Sequence, residues 1–344
     1  MNTMARREQR ASVASLPRVT IVTPVYNEEA SLAAYREEVS RLLISRDDVY
    51  FEVLFVEDGS QDRSWQIIES FCRESPRFKG LRLSRNFGSH VALSAGIDHA
   101  DGDAVATLAC DLQDTPETLL AFVEKWCGGA DIVWGHRRTR DEGRGRVWVS
   151  NMFMRLIRLY AMPRGSKFTT GSFFLIDRTV ADCFRQFREQ HRVTFALVAW
   201  TGFDQDIVYY DRRARFAGSS GWTFGRMVKA MYDTFIGFSN LPPRLFTMTG
   251  ALLFLLNIPF TIYLVVDVLF FKPMPGWTGI MCALSAFFGV AFLMLGMMSE
   301  YLHRIYLETS RRPLYFISKS SGLLATDCAD RRSQRTETPV DELP

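Results

Sequence analysis

The chain is poor in the residues that staple small folds or grip metals in all-protein cages. Its six cysteines, Cys72, Cys110, Cys127, Cys183, Cys282 and Cys328, contain no C-x-x-C pair, so neither a zinc site nor a disulfide framework is suggested. Reduced thiols in a cytosolic setting follow. An excess of one charge is also lacking: 41 Lys and Arg stand against 38 Asp and Glu, for a formal net charge of +3. No polar stretch interleaves basic residues with aromatics, so nucleic acid is not an expected partner. Before Pro17 there is no apolar run of signal-peptide length, which places the soluble part on the cytoplasmic side. Residues 1–17 and roughly 320–344 are polar and aperiodic, and read as disordered tails.

What the chain has in excess is apolar residues, 47% with 13% aromatic, and they concentrate between Leu245 and Met298. Leu245–Phe271 carries one charge, Asp267, and Gly276–Ser299 carries none. A bilayer core of about 30 Å needs about 20 helical residues, so both segments predict transmembrane helices. The turn between them has one basic residue, Lys272, whereas Arg226, Lys229 and Arg244 precede the hairpin and His303, Arg304, Arg311, Arg312 and Lys319 follow it. The positive-inside rule puts both termini in the cytoplasm, as for a multi-pass protein of the inner membrane. The expected organisation is a tail over 1–17, an α/β domain over 18–221, an amphipathic juxtamembrane segment over 222–244, two transmembrane helices over 245–303 and a cytoplasmic C-terminal tail over 304–344. Small residues Gly289 and Gly296 would let copies approach, making a homo-oligomer an expected form. A hairpin of this kind anchors without supplying chemistry, so a chain stopped near Phe224 is expected to keep a folded, nucleotide-binding domain.

Within the α/β domain, strand, loop and helix alternate. Val19–Val25 is β-branched and runs into Tyr26-Asn27-Glu28-Glu29, which opens a helix. Phe51–Val56 ends in Glu57-Asp58-Gly59-Ser60, with Ser60 or Asp62 capping the next helix. Gly80–Leu83 leads to a helix over His90–His99, and Ala104–Leu108 leads to Asp111, Gln113 and Asp114. Ile132–Trp134, Phe173–Ile176 and Ile207–Tyr210 read as further strands, and Trp148–Met162 as an amphipathic helix. The alternation predicts a doubly wound, mostly parallel sheet. Acids at three strand ends, Glu28, Asp58 and Asp111, would then share the crevice where such sheets bind ligands. Asp111 and Gln113 are hard oxygen donors suited to a divalent cation, while Asp114 or Thr115 equally suits the cap of a helix starting at Pro116. The basic run Arg137–Arg146 reads as a solvated loop.

Five runs in order, VTIVTPVYNEE, VEDGSQDRS, SRNFGSHVALSAGIDHADGD, DLQDTPE and SEYLHRIYLETSRRPLY, resemble the family 2 glycosyltransferases that make polyprenyl-phosphate sugars. The likeness is to the GtrB and dolichol-phosphate-mannose synthase type, and covers roughly residues 18–318. It implies a GT-A fold, a nucleotide-sugar donor such as a UDP-hexose, Mg²⁺ or Mn²⁺, and a polyprenyl (undecaprenyl) phosphate acceptor at the membrane. By position, Pro24, Tyr26 and Glu28 would line the nucleotide pocket, Asp58 would contact the base, and Asp111 and Gln113 would hold the metal. Arg212 and Arg215 with Ser219 and Ser220 match the loop that grips the acceptor phosphate; Asp114 is equally suited to orient the sugar or to cap the helix. The chain departs from the family at Ala109, where an Asp is common, at Gly221, where a Lys is common, and at Ser89-His90, which replace a frequent Lys-Glu. The acceptor, a phosphate monoester with a second pKa of about 6, is already largely dianionic and needs no strong base. Two other classes are weighed: a processive polysaccharide synthase, which needs more membrane helices and a Gln-x-x-Arg-Trp motif, and a non-catalytic, membrane-anchored nucleotide-sugar scaffold.

Overall fold

The computed structural model describes residues 16–43, 46–138, 172–187, 189–190, 192–213, isolated positions from 248 to 270, 276–310 and 312–323. Its elements in chain order are β1 (Arg18–Val25), α1 (Glu29–Leu43), β2 (Tyr50–Glu57), α2 (Ser64–Glu74), β3 (Phe78–Leu83), α3 (Ser89–His99), β4 (Ala104–Thr107), α4 (Thr118–Cys127), β5 (Ile132–Arg137), β6 (Phe174–Asp177), α5 (Arg178–Phe184), α6 (Thr194–Trp200), β7 (Gln205–Tyr210), α7 (Trp277–Thr309) and β8 (Ile317–Ser321). The strands form one eight-stranded sheet in the order β7-β5-β6-β4-β1-β2-β3-β8.

β1 pairs in parallel with β2 and with β4, β2 with β3, and β5 with β7. Strands buried on both faces need nearly continuous apolar sequence. VTIVTPV and YFEVLFVE supply it, and only the first residue of β2 is not buried. Of the two buried acids in β2, Glu52 is neutralised by Arg18 at 2.5 Å and Lys79 at 3.0 Å and Glu57 by Arg82 at 2.8 Å, because an unpaired buried carboxylate would not be tolerated. One face of the sheet packs under a cluster containing Tyr35, Phe55, Phe71 and Phe122 from β2, α1, α2 and α4. The other packs under Leu93, Ile97, Val180, Phe184 and Leu197 from α3, α5 and α6. Helices on both faces of a mostly parallel sheet are the doubly wound, GT-A-like α/β arrangement expected from the alternation.

Two features differ from the expected organisation. The stretch 304–344 is not all tail: α7 continues to Thr309, Tyr315 is buried, and β8 pairs antiparallel with β3. Ser84 N–H also donates to the carbonyl of Phe316 at 2.8 Å. A chain stopped near Phe224 would therefore lose an edge strand of the sheet. ISKSS has one apolar residue and no alternation, so periodicity could not reveal it. The second difference concerns the hairpin. The Leu245–Phe271 segment lies outside the described residues save for isolated positions, as do the Trp148–Met162 helix and the 222–244 segment. Counted over described side chains alone, no helix is long and apolar enough to cross a membrane. The complete sequence of α7 nevertheless has no charge from Trp277 to Ser299, a stretch of roughly 33 Å at helical rise.

Candidate active site

β5 and β7 run with β4 and β1, because two antiparallel pairings through β6 restore the direction. The C-terminal ends of β1, β2, β4, β5 and β7 thus open on one edge of the sheet. The connection order reverses between β1 and β4, and that switch point is where open α/β sheets leave a ligand crevice.

On one side of the crevice lie the loops after β1 and β2. Asn27 has φ of 53°, a left-handed conformation that Asn tolerates. Its N–H donates to Ser60 Oγ at 2.9 Å, and its Oδ1 accepts from Gln61 N–H at 3.0 Å. Glu28 N–H donates to Ser64 Oγ at 3.1 Å and Glu29 N–H to Asp62 Oδ2 at 3.1 Å. Asp62 also accepts from Ser64 N–H at 3.0 Å in the turn that leads into α2, although the N-cap position itself is Arg63, without a side-chain cap, and not Ser60 or Asp62. Tyr26 is left 44% exposed at the mouth, and Pro24 is part-buried in β1 with its carbonyl facing Cys110 Sγ at 3.9 Å. Asp58 is buried, and its two oxygens accept from Phe87 N–H at 2.7 Å and Gly88 N–H at 2.8 Å. The close approach requires glycine at 59, where φ is +68° and a Cβ would stand 2.5 Å from the Arg85 carbonyl carbon. Burial pushes the Asp58 carboxyl above its ordinary value, and the two N–H donors offset this only in part. Asp58 therefore spends hydrogen bonds holding the 84–88 loop in addition to whatever it offers a ligand.

On the other side the DLQD turn meets the end of β7. Leu112, with φ of 55°, is the hinge of the turn, a conformation costly for a leucine and worth noting at a site. It sets Asp111 and Gln113 on one turn, with Gln113 N–H donating to Asp111 Oδ1 at 3.2 Å. Asp114 is not a helix cap: α4 begins at Thr118 behind Glu117, without a side-chain cap. Its Oδ1 instead accepts from the Tyr210 hydroxyl at 2.6 Å. Arg212 Nη2 stands 4.0 Å from Asp111 Oδ2 and its Nε 3.3 Å from Asp114 Oδ1. That Nε is buried, and its N–H is not aligned for a hydrogen bond with any partner among the described residues. Arg213, which sequence reasoning passed over, staples the two segments. Its N–H donates to the Gln113 carbonyl at 2.9 Å, and its guanidinium lies 3.1 Å from Glu38 and 3.6 Å from Glu117. Arg215, Ser219 and Ser220 lie outside the described residues.

No group of three or more His, Cys, Asp or Glu that could hold a metal occurs among the described residues. The donor set of Asp111 and Gln113, one carboxylate and one amide oxygen, fits a hard cation that takes its remaining ligands from phosphates and water. The same cluster offers a guanidinium to an anion. Acids and a facing arginine at the switch point of a parallel sheet are groups suited to a cation and to an anion respectively.

The chain belongs to glycosyl transferase family 2, whose family description matches residues 20–185, and it is a glycosyltransferase. It is 35% identical over 310 residues to an uncharacterized glycosyltransferase of Synechocystis sp., covering 89% of this chain and 96% of that one. It is 31% identical over 305 residues to a prophage-derived bactoprenol glucosyl transferase of Shigella flexneri, covering 88% and 98%. The mannosyl-3-phosphoglycerate synthase of Rubrobacter xylanophilus, a solved structure, aligns over 72% of this chain and 78% of its own with 16% identity and a TM-score of 0.49.

Proposed function

We propose that the protein transfers a hexose, with inversion and with the help of Mg²⁺ or Mn²⁺, from a UDP-sugar to polyprenyl phosphate at the cytoplasmic face of the membrane. The observation that carries this is the placement of Arg212 against both Asp111 and Asp114, which puts a cation-seeking and an anion-seeking group at one point of the crevice. The name of the Shigella relative, a bactoprenol glucosyl transferase, supports a polyprenyl acceptor. Asp111 and Gln113 would hold the cation, which when bound neutralises charge on the leaving diphosphate. Pro24, Tyr26, Glu28 and Asp58 would form the wall toward the nucleoside. Arg212, with Arg215, Ser219 and Ser220 further along the loop, would draw the acceptor phosphate in, so that two anions meet without repulsion.

The membrane part of this reading rests on α7 and on the first apolar segment, Leu245–Phe271. Ile280, Phe288, Leu295 and Met298 are all exposed on α7, more apolar surface than water favours on one helix. Close to its C-terminal end Gln190 N–H donates to Glu308 at 2.8 Å and Gln190 Nε2 to the Arg312 carbonyl at 2.5 Å, so the helix is tied to the α/β domain. Self-association through Gly289 and Gly296 belongs to the same reading. The test is incubation of the purified full chain with labelled UDP-glucose, UDP-galactose, UDP-N-acetylglucosamine or GDP-mannose and undecaprenyl phosphate, with and without Mg²⁺ or Mn²⁺. Metal-dependent label in the lipid phase from a UDP-hexose is expected; no label from any donor would sink the proposal.

A further inference from the structure

We infer that Tyr210 is a positioning residue of the transfer reaction, acting through Asp114. This rests on the transfer reading above. The hydroxyl of Tyr210 donates to Asp114 Oδ1 at 2.6 Å, and Arg212 Nε faces the same oxygen at 3.3 Å. Two side chains two positions apart, Tyr210 at the end of β7 and Arg212 just beyond it, thus converge on one carboxylate oxygen. With that oxygen approached from two sides, the Asp114 carboxylate cannot rotate freely, and Arg212 meets an acid of fixed orientation.

The phenol is itself placed with care. Its residue is 6% exposed, and its ring stands edge-on to Phe173 with centroids 5.2 Å apart. A Cβ on Gly135 would come within 3.0 Å of Tyr210 Cε1 and 2.8 Å of Phe173 Cδ1, so the glycine of β5 makes the slot for the ring. Arg137 Nε reaches the hydroxyl oxygen from another side at 3.4 Å. Burial and the Asp114 charge both push the phenol's pKa up, which keeps the proton on the donor. Holding the two loops together does not need this hydroxyl, because the Arg213 N–H to Gln113 carbonyl bond already does so. What the hydroxyl adds is direction, in a short bond to a charged acceptor.

Tyr210→Phe in the full chain keeps the ring in its slot and removes only the hydroxyl. With UDP-sugar, Mn²⁺ and a short-chain polyprenyl phosphate, kcat should fall about tenfold, with donor KM within about twofold and the melting temperature near that of the wild type. The discriminating measurement is the cycle with Asp114→Asn. If Tyr210 works through the carboxylate, adding Tyr210→Phe to Asp114→Asn costs nothing further. Wild-type kcat in Tyr210→Phe, or the same tenfold loss in both backgrounds, would overturn the inference. Wild-type protein that transfers no sugar to this acceptor would overturn the reaction reading first, and this role with it.

Discussion

The loops after β1 and β2 are joined by backbone N–H groups aimed at side-chain oxygens of Asn27, Ser60, Asp62 and Ser64, with one ion pair, Arg63 to Glu29, beside them, and Asp58 ties the second loop to the 84–88 loop in the same way. The DLQD turn and the segment after β7 share one backbone-to-backbone bond and are otherwise joined by charge, Arg212 to Asp111 and Asp114 and Arg213 to Glu117, while Arg213 also reaches Glu38 on α1. Hydrogen bonds to backbone fix geometry and resist salt; ion pairs at a part-exposed edge are individually weak and can be re-partnered. The side formed by the loops after β1 and β2 is thus held mainly by hydrogen bonds, and the other side mainly by ion pairs, which a charged ligand can re-partner. The contrast makes a general prediction: substitutions on the ion-pair side should cost rate, and those on the hydrogen-bonded side should cost stability.

The largest effect is expected at Asp111. Asp111→Asn preserves shape and the contact with Gln113 N–H, yet removes the charge a hard cation needs. Transfer should fall about a thousandfold, roughly 4 kcal/mol of barrier, while the melting temperature holds. Near-normal turnover would remove Asp111 from the metal role. Next is Arg212→Ala, for which a contact to phosphate in a dry site predicts a loss of about a hundredfold. It should appear in detergent with short-chain acceptor and leave UDP binding nearly unchanged. If activity is lost only in anionic bilayers, the arginine serves lipid head groups, at about 1 kcal/mol per charge.

The sheet was legible because its strands are buried on both faces and its connections end in turn residues, which makes VTIVTPV and FEVLFV stand out. The crevice was legible because acids follow three of those strands. Contacts that tie distant segments were not. Nothing in the local pattern of Tyr210 or Arg213 says that β7, three places from β4 in the sheet, returns over the DLQD turn. Asp114 suited a cap, with Pro and Glu following it, as well as a ligand contact, and neither pattern pointed to the buried tyrosine hydroxyl that meets its oxygen. β8 was invisible for a different reason: as an edge strand it needs backbone pairing more than apolar side chains.

On the hydrogen-bonded side, Asp58→Asn sharpens the comparison. The amide nitrogen that replaces one oxygen cannot accept from Phe87 or Gly88 N–H, so a buried donor loses its partner. About 2 kcal/mol of stability should go, read as a lower melting temperature that saturating UDP and Mn²⁺ only partly restore. An unchanged melting temperature with rate loss alone would erase the distinction between the two sides.

The smallest effect concerns His90, in the first turn of α3 just beyond the loop that Asp58 holds. The residue is partly accessible, but Nδ1 is shut off from solvent and has no hydrogen-bond partner among the described residues. Its ring packs on Phe195, with centroids 5.3 Å apart. Burial therefore lowers its pKa from 6.5 to about 4. Between those values the unfolded chain binds more protons than the folded one, so stability rises with pH across the interval and is lost on acidification. From near pH 7 to about pH 5.5 the contribution should be a loss of about 1 kcal/mol. Other groups titrate over the same range, so the quantity to measure is the difference between wild type and His90→Phe, which keeps an aromatic ring and removes the titration. Thermal melts of both proteins in detergent should show the wild type losing more stability on acidification than the variant. Equal losses would mean that His90 takes up its proton alike in the folded and the unfolded chain, and that its site is wetter than the packing against Phe195 implies.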